Sequence, residues 1–336
     1  MINKLKYIRT ENTYPYRNLA MEEYLTMHAA PGECILFLWQ NRRTVVVGKN
    51  QNCWKECNVS RLEADGGYLV RRLSGGGAVY HDLGNLNFTF CVNEEDYDLP
   101  RQMDVICRAV RSMGIDAVPT GRNDITVDGR KFSGNAFLNH QGHCYHHGTL
   151  MLSVDQEDLN RYLTVDREKL VSKGIDSVRG RVICLRDLKP DLGVDEMASA
   201  LQTSFSEVYG LPVEQLSESS LPAESIQSAE DRFASPEWKY GRRIPFQYEI
   251  SRRFPWGDFR LQLSVNKGLI EDASISSDAM DQNYIDDIAS SLIGCPHRAA
   301  DMAEAVRSCI LTASRTSSCD PEQMKADVAE LIVEKV

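Results

Sequence analysis

The sequence predicts an α+β fold in two parts, and three observations carry that reading. Short runs of β-forming apolar residues alternate with stretches of helical periodicity. Residues 238–246 (WKYGRRIPF) mix aromatic, basic, glycine and proline residues, and after them the pattern restarts with strands. A length of 336 residues suits about two domains, each large enough to bury a core. We therefore expect a larger domain over residues 1–243 and a small α+β domain over residues 247–336.

The elements follow in order. Residues 18–27 (NLAMEEYLTM) predict a helix capped by Asn18, with Glu22 and Glu23 in its early turns. Residues 35–39 and 44–47 are β-rich runs separated by a polar NRR turn, and we expect them to pair. A polar loop, residues 48–52, and a short helix over residues 59–64 precede a strand at residues 68–73. Val105, Ile106, Ala109, Val110 and Met113 share one stripe, so residues 101–113 read as an amphipathic helix. Asp128 and Gly129 between two apolar runs signal a hairpin, with Lys131 at the start of the returning strand. In the strand over residues 144–152, alternation puts His143, Tyr145 and His147 on one face and Cys144 and His146 on the other. The histidines therefore do not converge on one metal. A helix runs from Val194 to Gly210, and residues 216–228 form a serine- and glutamate-rich surface loop with a short helix. In the tail, residues 266–268 (NKG) join two strands, and three helical patterns follow.

Bulk properties limit the function classes. Apolar content of 42% and charged content of 26% are ordinary for a globular chain, and nothing approaches a membrane span or a secretory signal. We expect a cytoplasmic protein. Its ten scattered cysteines read as reduced thiols, and Cys53 and Cys57 lack the second pair that structural zinc would need. A net charge of −10 opposes a general nucleic-acid role, while a local basic pocket for one nucleotide remains compatible.

The chemistry concentrates in residues 71–90, RRLSGGGAVYHDLGNLNFTF. A glycine triplet carries a stability cost of up to about 1 kcal/mol per residue, which implies unusual backbone angles or a close approach. With Arg71 and Arg72 beside it, exposed backbone N–H groups there form an anion cradle. Together with Asn123, Asp124 and Lys131, the stretch supplies what activation of a carboxylic acid by a nucleoside triphosphate requires. A carboxylate and an α-phosphate repel each other unless fixed cations stand between them, and a compact ammonium group suits that position. Asp124 is a candidate magnesium ligand.

Four segments, RRLSGGGAVYHDLGNLNFTF, GRNDITVDGRKFSGNA, HHGTLML and SKGIDSVRGRV, occur in the order and at the spacing of the lipoate-protein ligase A motifs, and RRFPWGDFRLQLSVNKG is similar to that family's accessory domain. The chain thus resembles that family over essentially its whole length. The resemblance implies a fold of the biotin and lipoate ligase type, a mixed β-sheet flanked by helices with a small α+β accessory domain. It also implies two steps: lipoate and ATP give enzyme-bound lipoyl-AMP and pyrophosphate, and the lipoyl group then passes to a lysine of an apo carrier domain.

By matching position, Lys131 is the catalytic lysine. Arg72, Ser74, Gly75, Gly76, Gly77, Ala78, Val79, Tyr80, His81, Asn123, Ser133, His147 and Gly148 bind ATP and lipoate, and Asp124 holds Mg2+. Ser177, Val178, Arg179, Arg181 and Val182 belong to a loop that folds over the adenylate. The implied partners are lipoyl carrier domains, the E2 subunits of 2-oxoacid dehydrogenases, or the glycine-cleavage H protein, and the implied state is a monomer without nucleic acid or membrane. The four methylenes of the acyl chain are worth roughly 3 kcal/mol of burial, so octanoate is an expected second substrate.

One departure stands out, since Ile183 and Cys184 replace the family's usual threonine and asparagine. Two alternatives compete with the ligase reading: a cofactor-free octanoyltransferase working through a cysteine thioester on Cys144 or Cys184, and a non-catalytic protein that binds carrier domains.

Overall fold

The computed structural model describes residues 1–121, 123–164, 182–312, 316 and 319–336. Its strands, in chain order, are β1 (Lys4–Arg9), β2 (Glu33–Trp39), β3 (Thr44–Val47), β4 (Tyr68–Arg71), β5 (Val79–His81), β6 (Asn85–Asn93), β7 (Val118–Thr120), β8 (Asp124–Val127), β9 (Arg130–His140), β10 (His143–Met151), β11 (Val213–Gln215), β12 (Tyr248–Phe254), β13 (Gly257–Asn266) and β14 (Leu269–Ser277). Among the described residues the chain groups by contact into two units. One comprises residues 1–46, 54–70 and 79–235, and the other residues 47–53, 71–78 and 236–336.

The first unit is built on an eight-stranded sheet in the order β11-β1-β2-β6-β10-β9-β8-β7. It is mixed, because β1 runs parallel to β2 and β11 while β2, β6, β10, β9, β8 and β7 alternate antiparallel. Strands β4, β3 and β5 make a separate three-stranded sheet. The expected pairing of β2 with β3 is therefore corrected. All seven residues of β2 are buried, and the strand pairs instead with β1 and β6 in the middle of the large sheet. A strand covered on both faces reads as continuous apolar sequence and carries no local hint of its neighbours.

Helices cover both faces of the sheet. On one face the helix Pro15–Met27 reaches β6 and β10 through Glu22, which accepts from Thr89 and pairs with His147. On the other, Phe205 of the helix Val194–Tyr209 packs its ring 5.8 Å from Phe90, beside the helix Leu99–Arg111.

The first helix begins earlier than its sequence implies. Pro15 occupies its first turn, where a missing N–H costs nothing. Asn18 is thus not a cap but an interior residue, fully buried, whose Nδ2 donates to the Asn12 and Gln40 carbonyls and to Asn41 Oδ1. The helix Val194–Tyr209 ends as expected, with Gly210 at φ 67°. The serine-rich stretch is more ordered than expected, carrying the twelve-residue helix Ala223–Ala234.

In the second unit, β12, β13 and β14 form an antiparallel meander. Lys267 and Gly268, both at positive φ, make the turn of its second hairpin. Phe259, Leu261 and Leu263 face Ile285, Ile288, Met302, Val306, Val328 and Ile332 of the helices Gln282–Ser291, Ala299–Ser308 and Pro321–Lys335 in one buried cluster. Arg71 binds the pieces of this unit together. Its guanidinium donates to the carbonyls of Gly48, Lys49, Gln51, Trp238 and Lys239 at 2.7–3.2 Å. It is nearly inaccessible to water, and that burial depresses its pKa. No described helix is long and apolar enough to cross a membrane.

Removing this guanidinium strands carbonyls from two separate stretches of chain. We predict that Arg71→Leu lowers stability by about 3 kcal/mol or more, the scale for breaking a buried charged network. Urea denaturation measures it, and a loss below about 1 kcal/mol would show that water replaces the arginine.

Candidate active site

The hairpin of β8 and β9 presents the lysine. Asp128 and Gly129, at φ 49° and 73°, form the two-residue turn. Lys131 is the second residue of β9. The register then slips: Ser133 lies opposite Ile125 but Lys131 opposite Thr126, so β9 carries one extra residue, Phe132. Such a bulge re-aims the side chains next to it. Here it turns the ammonium group over Gly134, where an added Cβ would lie 2.8 Å from Lys131 Nζ. That face of the sheet is shared with Ala136 and its cross-strand partner His147.

Lys131 Nζ is fixed by Asp124 Oδ1 at 2.6 Å. Its main chain is fixed as well. Val182 forms a bridge with Lys131, and the Ile183 N–H donates to the Lys131 carbonyl at 2.9 Å. Val182 is thus brought to the lysine, whereas Ser177, Val178, Arg179 and Arg181 lie outside the described residues. Ile183 and Cys184, the two departures, are buried. Burial raises the Cys184 thiol above its ordinary pKa.

Asn123 is held by a ladder of amides. Its Nδ2 donates to the Asn135 carbonyl, and its own carbonyl accepts from Asn135 N and Nδ2. Asn135 Oδ1 sits 2.9 Å from His146 Nε2. An amide oxygen only accepts, so the His146 proton is on Nε2. Among the described residues Nδ1 has no partner, and a second proton would have nowhere to bond. Burial first, then the neighbouring His147, push the His146 pKa down to about 3. Ser133 and Gly148, both site candidates, lie on β9 and β10, with Gly148 opposite Asn135.

Alternation along β10 is as the sequence implies. His146 stacks on Phe90 on one face. On the other, His147 Nδ1 lies 2.8 Å from Glu22 Oε1. That carboxylate also accepts from Thr89 Oγ1, which in turn accepts from Trp39 Nε1. Val79, Tyr80 and His81 form β5 against β3. The Tyr80 hydroxyl donates to Asp158. His81 Nδ1 is 3.3 Å from the Asn41 amide, whose oxygen accepts from Asn18. Asn18, Glu22, Asn41, Asn135 and His146 thus position site candidates. Sequence reading missed them, because each acts through a partner in a different element.

The glycine loop belongs to the second unit together with Arg72, Ser74 and Ala78. Arg72 folds back on it, with Nε donating to Ser74 Oγ at 3.0 Å and the guanidinium to the carbonyls of Gly75 and Gly77. Gly75 is glycine for a local reason, since a Cβ there would lie 2.3 Å from the Ala279 carbonyl oxygen and 2.5 Å from that of Met280. Gly76 stands at φ 88° and donates its N–H to the Ala279 carbonyl. A side chain at either position disturbs the packing of the chain on itself, in addition to anything it does to a ligand.

Comparison with known proteins gives consistent results. Residues 14–206 match the family described as lipoyl protein ligase A/B catalytic domain, and residues 243–326 match the bacterial lipoate protein ligase C-terminus. The lipoate-protein ligase A of Blochmanniella pennsylvanica is 38% identical over 310 residues, covering 87% of this chain and 89% of that protein. The enzyme of the same name from Psychrobacter cryohalolentis is 39% identical over 297 residues, covering 86% and 88%.

Among solved structures, P. falciparum LipL1 in complex with lipoate is 28% identical with a TM-score of 0.84, covering 98% of this chain and 99% of that one. A lipoate-protein ligase A bound with ATP is 25% identical with a TM-score of 0.59, over 72% and 99%. A bipartite lipoate protein ligase with its E2 lipoyl domain from Thermoplasma acidophilum is 27% identical with a TM-score of 0.60, over 73% and 99%.

The His146 geometry predicts a pH effect. The unfolded ring takes a proton near pH 6.5, and the folded one only near pH 3. Between those values the unfolded state binds the extra proton, so stability falls as the pH is lowered from 6.5 towards 3. His146→Gln keeps a donor for Asn135 and should flatten that slope in denaturation curves at pH 7, 5 and 4. An unchanged slope would place the acid sensitivity in other groups.

Proposed function

The chain belongs to the lipoate-protein ligase A family and is an enzyme of that type, and we propose that it activates lipoate through an adenylate and transfers the acyl group to a carrier lysine. In the first step a lipoate carboxylate oxygen attacks the α-phosphorus of ATP, the bond to the β-phosphate oxygen breaks, and pyrophosphate leaves. In the second, the carrier amine attacks the acyl carbon, AMP departs with the bonding electrons, and the amine loses a proton as the amide forms.

The observation that carries this reading is the Lys131 ammonium, fixed over Gly134 by Asp124 on the sheet face of His147. A cation anchored before the reactants arrive offsets their mutual repulsion and the charge that builds on phosphorus, with no reorganisation during the step. Residues 71–78, with Arg72 and Ser74, are proposed to bind ATP; in the first unit, Asn123 is proposed to serve phosphate, and Val79, His81, Ser133, His147 and Gly148 to bind lipoate. The ATP-bound and lipoate-bound relatives support both assignments of ligand.

Magnesium fits as an ion shared with the phosphates. Among the described residues no group of three or more His, Cys, Asp or Glu stands ready for a metal, and Mg2+ commonly binds through one or two carboxylates plus substrate phosphates. Asp124 is the proposed carboxylate, and a bound ion would neutralise phosphate charge. We further propose octanoate as a second substrate, lipoyl domains of E2 subunits or the glycine-cleavage H protein as acceptors, a monomeric state and a cytoplasmic location. The archaeal ligase with its E2 lipoyl domain supports the acceptor class.

A cysteine thioester route is disfavoured, because burial keeps Cys184 protonated and Cys144 is fully inaccessible.

Lipoate, ATP with magnesium and an apo lipoyl domain supply the test, read as pyrophosphate and lipoylated domain. Lys131→Met should lower both by a hundredfold or more, the usual scale for losing one preorganised charge. Transfer without ATP would favour the cysteine enzyme, and no transfer at all a binding protein.

A further inference from the structure

Asn87 lies at the centre of the large sheet, on β6, opposite Trp39 of β2 and Thr149 of β10. Alternation puts its side chain on the face of Thr89 and His147. It is 1% exposed. Among the described residues, neither the nitrogen nor the oxygen of its carboxamide has a hydrogen-bond partner. Its neighbours do have partners: Thr89 bonds Glu22 and Trp39, His147 bonds Glu22, and Thr149 Oγ1 accepts from Gly134 N–H. An amide buried without partners opposes folding, so a leucine there would serve folding better.

The location says what the amide is for. Lys131 Nζ lies over Gly134, Gly134 bonds Thr149, and Thr149 stands opposite Asn87. From Gly134 to Asn87 is two strand spacings, about 10 Å. A lipoate whose carboxylate meets the lysine extends its dithiolane roughly 9 Å along an ordinary carbon chain. We infer that Asn87 is a specificity-determining residue that donates its amide N–H to a ring sulfur of the acyl substrate. This rests on the proposed lipoate chemistry. Sulfur accepts weak hydrogen bonds, whereas the terminal methyl of octanoate accepts none and leaves the amide unpaired. A site built to bond a group discriminates against the analogue lacking it.

The test compares lipoate with octanoate on the full chain, by kcat/KM for pyrophosphate release and by calorimetric binding of each acid without ATP. Because both substrates meet the same protein sample, partial unfolding cancels in the ratio. The unmodified protein should favour lipoate about tenfold, and Asn87→Leu should bring the ratio to about one, mainly by weakening lipoate. Asn87→Gln, which keeps the donor group, should retain part of the preference. A ratio that Asn87→Leu leaves within twofold of the original would overturn the assignment. If lipoate binds but releases no pyrophosphate, the ligase reading fails, and the binding ratio still decides the role of Asn87. If neither acid binds, both fail.

Discussion

In the proposed reaction two anions must be brought together before any bond changes, and the ammonium group of Lys131 is the cation proposed to stand between them. Lys131 owes its position to three features of a single hairpin. A two-residue turn sets the register, one extra residue in β9 redirects the side chain, and a glycine at position 134 leaves the space it enters. Asp124 then holds the charged end at 2.6 Å. Both partners are partly exposed, so the pair contributes little to stability by itself. Its value lies in having the cation oriented in advance.

Beneath that hairpin, the sheet buries more polar groups than folding alone favours. Glu22 serves Thr89 and His147, Asn135 serves Asn123 and His146, and Asn18 serves Asn41. Each network satisfies groups that would otherwise be stranded in a low-dielectric interior. Each also ends on a residue proposed for the site. The polar interior is therefore the support of the proposed site, and the Asn87 carboxamide, whose nitrogen and oxygen both lack a partner among the described residues, is inferred to find one in the substrate.

Much of this was legible in the sequence where the signal is local. The Asp128-Gly129 turn, the alternation that separates His146 from His147, and the helix ending at Gly210 all follow from the behaviour of a few adjacent residues. Legibility failed where the determinant is distant. Glu22 stands 125 residues from His147 and 67 from Thr89, and nothing near it in the chain announces either partner. Asn18 resembled a cap because an asparagine before an apolar stripe usually is one. Pro15 sets the start of that helix instead. The glycine triplet implies an anion cradle, and the structure adds a second demand, the backbone of Ala279 and Met280 against Gly75.

The second unit is discontinuous in sequence, and this bears on how the protein can be divided. Its segments are residues 47–53, 71–78 and 236–336, and Arg71, in the second of them, ties it to the other two through their main-chain carbonyls. A fragment starting at residue 236 would retain the Trp238 and Lys239 carbonyls but lose the guanidinium that satisfies them. A gene split at that point would encode two polypeptides with complementary incomplete surfaces, so the break in the chain would not be a break in the fold. Reassembly of such halves would depend on the arginine left behind in the N-terminal piece.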